Sequence, residues 1–205
     1  MLKRTFDLVC SIMGLVLLAP LFIIVAFWIK LDSSGPIFFR QERVGRNGEV
    51  FRIHKFRTMR SDTENIGRLT VGKDSRITTS GQFLRKSKVD ELPQLIDVVL
   101  GKMSLVGPRP EVLEFIDEYP SDVRDIVLSV RPGITDKASI EMVDENEILG
   151  KYDDPRKAYI EHILPVKQRY YIEYVEKQSL FLDMSLIFKT LLRIIGDRDS
   201  SSHRG

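Results

Sequence analysis

The chain has 205 residues, with 31 Lys and Arg against 29 Asp and Glu and a formal charge of +2. This is the length of one large domain or two small ones, and 43% hydrophobic with 29% charged residues excludes a disordered chain and a polytopic membrane protein. A single cysteine, Cys10, excludes an intrachain disulfide.

The excess charge flanks one apolar run. Leu8 to Ile29 carries no charged side chain, with Lys3 and Arg4 before it and Lys30, Arg40, Arg43 and Arg46 after it. As a helix it would extend about 33 Å, enough to cross a hydrocarbon core of about 30 Å. It exceeds a signal-peptide h-region of about 7–15 residues and ends without a small-residue cleavage pattern, so the segment is expected to be retained. Pro20 has no N–H and its ring crowds the Val16 carbonyl, dividing the run into halves of about 18 and 15 Å, each about one leaflet deep. A helix–break–helix that enters and leaves by one face and a kinked single span both fit. The near-symmetric basic flanks do not assign sides. A buried core helix fits poorly, since the run has no polar face.

Beyond Gly35-Pro36, Ile37–Phe39 and the apolar members Val50, Phe51, Ile53 and Phe56 predict a β-hairpin turned at Gly45-Arg46-Asn47-Gly48. Residues 60–80 read as a polar loop. Helices are expected over Gln82–Lys86 and Asp90–Leu100, the second stopped by Gly101 with Pro93 in its first turn. Met103–Val106 reads as extended, Glu111–Glu118 and Ser121–Val130 as helices, and Arg131-Pro132-Gly133 as a break. Asp154-Pro155 caps a helix over Arg156–Ile163. A further helix starts at Pro165, and Leu180–Ile195 is the last, stopped by Gly196. Its broad apolar face of Met184, Ile187, Phe188, Leu191 and Ile195 suits either a core or a membrane surface. Tyr170, Tyr171 and Tyr174 fit either interfacial or packing roles.

Between Arg40 and Lys88 the net charge is +8, and between Glu111 and Glu161 it is −8. The first stretch can hold an anion, or the two can neutralise each other. Gly67–Lys73 has P-loop spacing but ends in Asp74 where a hydroxyl is needed, and no strand precedes it, so a nucleotide loop is not expected. The three histidines are far apart and have no cysteine partners, which gives no zinc pattern. The informative group is Lys55-Phe56-Arg57-Thr58-Met59, Asp90-Glu91-Leu92-Pro93-Gln94-Leu95, Gly107-Pro108-Arg109-Pro110 and Arg131-Pro132-Gly133-Ile134-Thr135. It supplies two carboxylates at a helix N-terminus and several cations on rigid loops, a set suited to a diphosphate with a divalent ion. The plain alternative is that Asp90 caps the helix and Glu91 decorates its first turn.

In this order, behind a proline-broken N-terminal apolar helix, these motifs resemble the small monotopic polyprenyl-phosphate phosphoglycosyl transferases, or bacterial sugar transferases. The resemblance implies transfer of a sugar 1-phosphate from a UDP-sugar to undecaprenyl phosphate at the cytoplasmic face of a bacterial inner membrane. UMP is released and Mg²⁺ is required. It implies a ping-pong route with Asp90 as nucleophile, Glu91 assisting metal placement or proton transfer, and Asp90 and Glu91 as the metal carboxylates. Lys55, Arg57, Arg85, Arg109 and Arg131 would surround the phosphates. The expected fold is α+β and helix-rich. Residues 1–30 form a re-entrant anchor broken at Pro20, residues 31–196 a cytoplasmic catalytic domain with a short β-hairpin, and residues 197–205 a disordered polar tail. Expected partners are the two substrates and a phospholipid membrane, without nucleic acid, and a homo-oligomer is compatible. Two departures from the family pattern are Ala19-Pro20 for Ser-Pro, and Asp136-Lys137-Ala138-Ser139 for Gly-Trp-Ala-Gln, a candidate for nucleotide or sugar recognition. A membrane-tethered module holding anionic lipid or nucleic acid without turnover is the competing class.

Overall fold

The computed structural model describes residues 2–60, 74–142 and 145–202. The P-loop-like Gly67–Lys73 lies outside them. The first element, α1 (Leu2–Asp32), is a single helix with Pro20 inside it on the outward face, where two half-helices were expected. Its inward stripe of Asp7, Ser11, Val25 and Ile29 is buried, while Val9, Ile12, Val16, Leu17, Ile23, Ile24 and Phe27 stay exposed. One face at helical spacing therefore meets the rest of the chain on both sides of the proline.

Both ends of α1 are fixed to the same domain. At the N-terminal end Arg4 donates to the Val98 and Val99 carbonyls, Asp7 accepts from Ser104 Oγ at 2.8 Å, and Lys3 pairs with Asp183 at 2.6 Å. At the C-terminal end Asp32 Oδ2 accepts from Ser80 N at 2.9 Å and Ser80 Oγ at 2.7 Å. Val25 and Ile29 pack there with Phe56 and Leu84.

The expected hairpin forms in two segments of one register. β1 (Phe38–Phe39) pairs antiparallel with β4 (Lys55–Phe56), and β2 (Glu42–Val44) with β3 (Val50–Arg52). Asn47 and Gly48 turn the chain with φ of 56° and 80°, the left-handed geometry that Asn-Gly favours. Next come α2 (Thr79–Lys86), a 3₁₀ turn over Val89–Glu91, and α3 (Gln94–Val99). The helix expected to begin at Asp90 thus begins four residues later. Pro93 stands at its N-cap, and the Asp90-Glu91 pair occupies the tight turn ahead of it.

β5 (Ser104–Val106) runs parallel to β6 (Gly133–Thr135), which brings Gly107-Pro108-Arg109-Pro110 beside Arg131-Pro132-Gly133. The backbones nearly touch: a Cβ on Gly133 would lie 2.1 Å from Gly107 N, and one on Gly107 would lie 2.5 Å from the Arg131 carbonyl oxygen. Both motif glycines are therefore required by the crossing itself. Gly133→Ala is expected to lower stability by about 3 kcal/mol, the upper end for overpacking, read as a fall in urea midpoint.

Between these strands lie α4 (Leu113–Ile116) and α5 (Ser121–Leu128). α6 (Lys137–Glu141), α7 (Glu145–Leu149) and α8 (Pro155–Ala158) follow, then a π-turn over Tyr159–Ile163, α9 (Leu164–Lys177) and α10 (Leu180–Ser202). Val112, Phe115, Tyr119, Tyr159, Leu164 and Tyr171 centre the main core. α10 continues past Gly196 to Ser202, into the segment expected to be an unstructured tail; a lone glycine costs a helix about 1 kcal/mol and does not stop it. Tyr171 and Tyr174 are buried packing residues, and Lys137 sits over the Tyr170 ring at 5.1 Å.

Candidate active site

Four short elements converge on the carboxylate pair. β4 brings Lys55, the last turn of α2 brings Arg85, the 3₁₀ turn presents Asp90 and Glu91, and the loop after β5 delivers Arg109. Lys88, left-handed at φ 57°, redirects the chain from α2 into the turn. Gly81 lets α2 approach the Thr58 backbone, where an added Cβ would meet the Thr58 oxygen at 2.0 Å. Arg85 Nε then donates to Thr58 Oγ1 at 2.9 Å, which holds the guanidinium on the Asp90 side.

The two carboxylates are held differently. Glu91 Oε1 accepts from Lys55 Nζ at 2.8 Å and from Arg109 at 2.5 Å, and the same guanidinium reaches Oε2 at 3.3 Å. Burial works against its charge, but Arg109 and Lys55 outweigh burial and hold the Glu91 carboxyl well below the usual range. Asp90 is 6% exposed and its Oδ1 has no hydrogen-bond partner among the described residues. Lys55 Nζ stands 3.9 Å from its other oxygen, Oδ2. Burial pushes the Asp90 carboxyl up, with Lys55 opposing and the Glu91 charge adding to the rise. Glu91 is thus committed to two cations, while Asp90 keeps a desolvated oxygen unbonded among the described residues. Such an oxygen is costly to bury and suits a role as nucleophile or ligand. Because α3 is short and starts after Pro93, the Lys55, Arg85 and Arg109 charges outweigh the helix-terminus effect expected from sequence.

Two of the expected phosphate cations lie elsewhere. Arg57 is buried under the C-terminal end of α1, donating to the Ser33 carbonyl at 2.6 Å and the Ser34 carbonyl at 2.5 Å. Arg131 Nε donates to the Gly101 carbonyl at 2.8 Å, beside Arg4 at the C-terminus of α3. Both cations satisfy carbonyls at helix ends, a task that motif position does not distinguish from phosphate binding. In the Asp136–Ser139 segment, Asp136 caps α6 by accepting from Ser139 N at 2.9 Å, and Lys137 pairs with Glu173.

Sequence reasoning missed the polar wall behind Arg109. Arg43 lies 3.8 Å from Glu111, Tyr159 donates to Glu111 at 2.8 Å, and Lys167 pairs with Glu145 at 2.7 Å. The signal that could have found it is Arg43 beside Val44 in the hairpin, a cation where one strand face turns inward.

A profile described as "Bacterial sugar transferase" matches residues 1–197. An undecaprenyl-phosphate glucose phosphotransferase of Komagataeibacter xylinus is 38% identical over 210 residues, covering 97% of this chain and 36% of the relative. A UDP-N-acetylgalactosamine-undecaprenyl-phosphate N-acetylgalactosaminephosphotransferase of Aeromonas hydrophila is 35% identical over 95% of this chain and 44% of its own length. The exopolysaccharide production protein PSS of Rhizobium leguminosarum bv. phaseoli is 38% identical, with 93% of this chain and 94% of the relative aligned. The chain therefore spans less than half of the first two relatives and nearly all of the third. With a match over nearly its whole length, and with Lys55 of KFRTM and Arg109 of GPRP gathered at the buried Asp90-Glu91 pair of DELP, the chain belongs to the bacterial sugar transferase family.

Proposed function

We propose that the protein transfers a sugar 1-phosphate from a UDP-sugar to undecaprenyl phosphate, with Asp90 as covalent nucleophile. The observation that carries this reading is the Asp90 carboxylate, buried with one oxygen unbonded among the described residues and within the field of Lys55, Lys88 and Arg85. An Asp90 oxygen attacks the β-phosphorus of the donor. The bond from that phosphorus to the bridging oxygen breaks, and UMP leaves with the electron pair. The enzyme then carries a sugar-phosphoryl aspartate, an acyl phosphate. An oxygen of the lipid phosphate attacks the same phosphorus, the aspartyl oxygen departs, and the Asp90 carboxylate is restored. Lys55 and Arg109 fix Glu91, while Arg85 and Lys55 offset the repulsion between the Asp90 carboxylate and the incoming phosphates.

Among the described residues no group of three or more metal-ligating side chains occurs. The unbonded Asp90 Oδ1 nevertheless fits Mg²⁺, which takes one or two carboxylates with substrate phosphate oxygens and water, while Glu91 would have to share its oxygens with Lys55 and Arg109. Held there, it would neutralise charge on the donor diphosphate.

The anchor is read as monotopic. A helix crossing a bilayer once carries its ends to opposite faces, about 30 Å apart in hydrocarbon, yet both ends of α1 bond to one domain. Its outward face is apolar from Val9 to Trp28, and Phe181, Met184, Phe188 and Leu191 of α10 are exposed as well. Both faces suit one leaflet of the cytoplasmic surface of a bacterial inner membrane. The test is UMP release from UDP-sugars by the membrane-extracted protein with undecaprenyl phosphate and Mg²⁺. Release that depends on the lipid phosphate supports the reading, and its absence with every donor sinks it.

A further inference from the structure

A cleft of about 130 Å³ shares Arg109 with the carboxylate pair. The guanidinium that grips Glu91 is also part of its wall. Along that wall acids and bases alternate. Gln41 Oε1 accepts from Arg43 at 2.6 Å, Arg43 lies 3.8 Å from Glu111, Tyr159 donates to Glu111, and Lys167 Nζ donates to Tyr159 Oη at 3.2 Å and Glu145 at 2.7 Å. Buried Arg43 Nε has no partner among the described residues. Val112, Phe115 and the Tyr159 ring add apolar lining.

We propose that this cleft is the subsite for the transferred sugar, with Glu145, Tyr159 and Gln41 reading its hydroxyls; this rests on the transferase reading above. A cavity of about 150 Å³ holds benzene and a pyranose is larger, so a sugar ring would fill this cleft and extend into its open mouth. A pyranose carries hydroxyls that both donate and accept, which matches a wall of alternating carboxylates, amide and cations, and its C–H face matches the apolar lining. A phosphate would meet cations already engaged with carboxylates. A stacked uracil would need a slot, but Phe115 and Tyr159 pack on each other, ring centroids 4.5 Å apart. The place is also right: the sugar hangs on the phosphorus that Asp90 attacks, and Arg109 joins the two compartments.

The test compares UDP-glucose, UDP-galactose and UDP-N-acetylgalactosamine with the wild type, Glu145→Gln and Tyr159→Phe, and measures inhibition by UMP in each. Expected is a loss of about tenfold in kcat/KM for the preferred donor, as for one hydrogen bond to a charged group. Discrimination between donors should also change at least severalfold, while the UMP inhibition constant stays within twofold of wild type. Gln41→Ala, at a half-buried lining residue, serves as a third variant should either of the others fail to fold. Weakened UMP inhibition would assign the cleft to the nucleotide and overturn the proposal. Unchanged donor discrimination in every folded variant would also overturn it. A wild type that turns over none of the donors would instead remove the transferase reading, and the subsite with it.

Discussion

Asp90→Asn is expected to abolish turnover, lowering the rate by about 10⁴-fold or more, as removal of a covalent nucleophile does elsewhere. The substituted amide keeps the shape of the side chain and loses its negative charge and nucleophilic oxygen. Burial of an ionised Asp90 is itself unfavourable, since burial pushes its carboxyl up, so the neutral variant should be at least as stable as the wild type. Lost activity with retained or raised melting temperature would separate chemistry from folding. A rate within tenfold of wild type would exclude Asp90 as the nucleophile.

The second large effect is expected at Arg109. Arg109→Met removes both hydrogen bonds from the guanidinium to Glu91 and leaves the buried carboxylate to Lys55. Breaking one side of a buried pair costs about 3–5 kcal/mol, and Arg109, partly open to the cleft, belongs near the lower figure. Activity should fall by about 10²–10³-fold, the scale for loss of a preorganised charge near a reacting phosphate. Arg109→Lys should recover stability better than activity, because a point charge cannot repeat the two-pronged contact. Urea denaturation and kcat/KM on the same preparations check both effects, and an Arg109→Met protein equal to wild type in both would contradict the arrangement.

Much of the fold and the site is legible in the amino-acid sequence. The hairpin follows from alternating apolar residues around Asn47-Gly48, and its register is continuous from Phe38 opposite Phe56 to Val44 opposite Val50. The apolar run announces α1, the motif set contains Lys55, Asp90, Glu91 and Arg109, and Arg85 comes from the family resemblance. The sequence does not tell which arginines come to lie beside the carboxylate pair. Arg57 and Arg131 are as basic as Arg85 and Arg109, yet they satisfy carbonyls at the ends of α1 and α3. That choice is made by tertiary packing, since it depends on where a helix end falls after the chain closes. Pro20 is a similar case. Its local effect argues for two half-helices, but the inward stripe from Asp7 to Ile29 keeps one helix in contact with the domain on both sides of it.

The paired glycines show the opposite relation. Gly107 and Gly133 sit in motifs that invite a catalytic reading, and their need is steric: two backbones cross where neither tolerates a Cβ. That crossing sets the loop carrying Arg109, so the fold and the site share one constraint.

The central claim is a covalent bond between Asp90 and the sugar phosphate. It is tested most directly by incubating the protein with a UDP-sugar and Mg²⁺ without lipid acceptor, then measuring intact mass and mapping the modified peptide. The expected result is one added sugar phosphate on Asp90, formed with one equivalent of UMP and discharged when undecaprenyl phosphate is supplied. UMP release only when the lipid is present, with no adduct at any time, would contradict it.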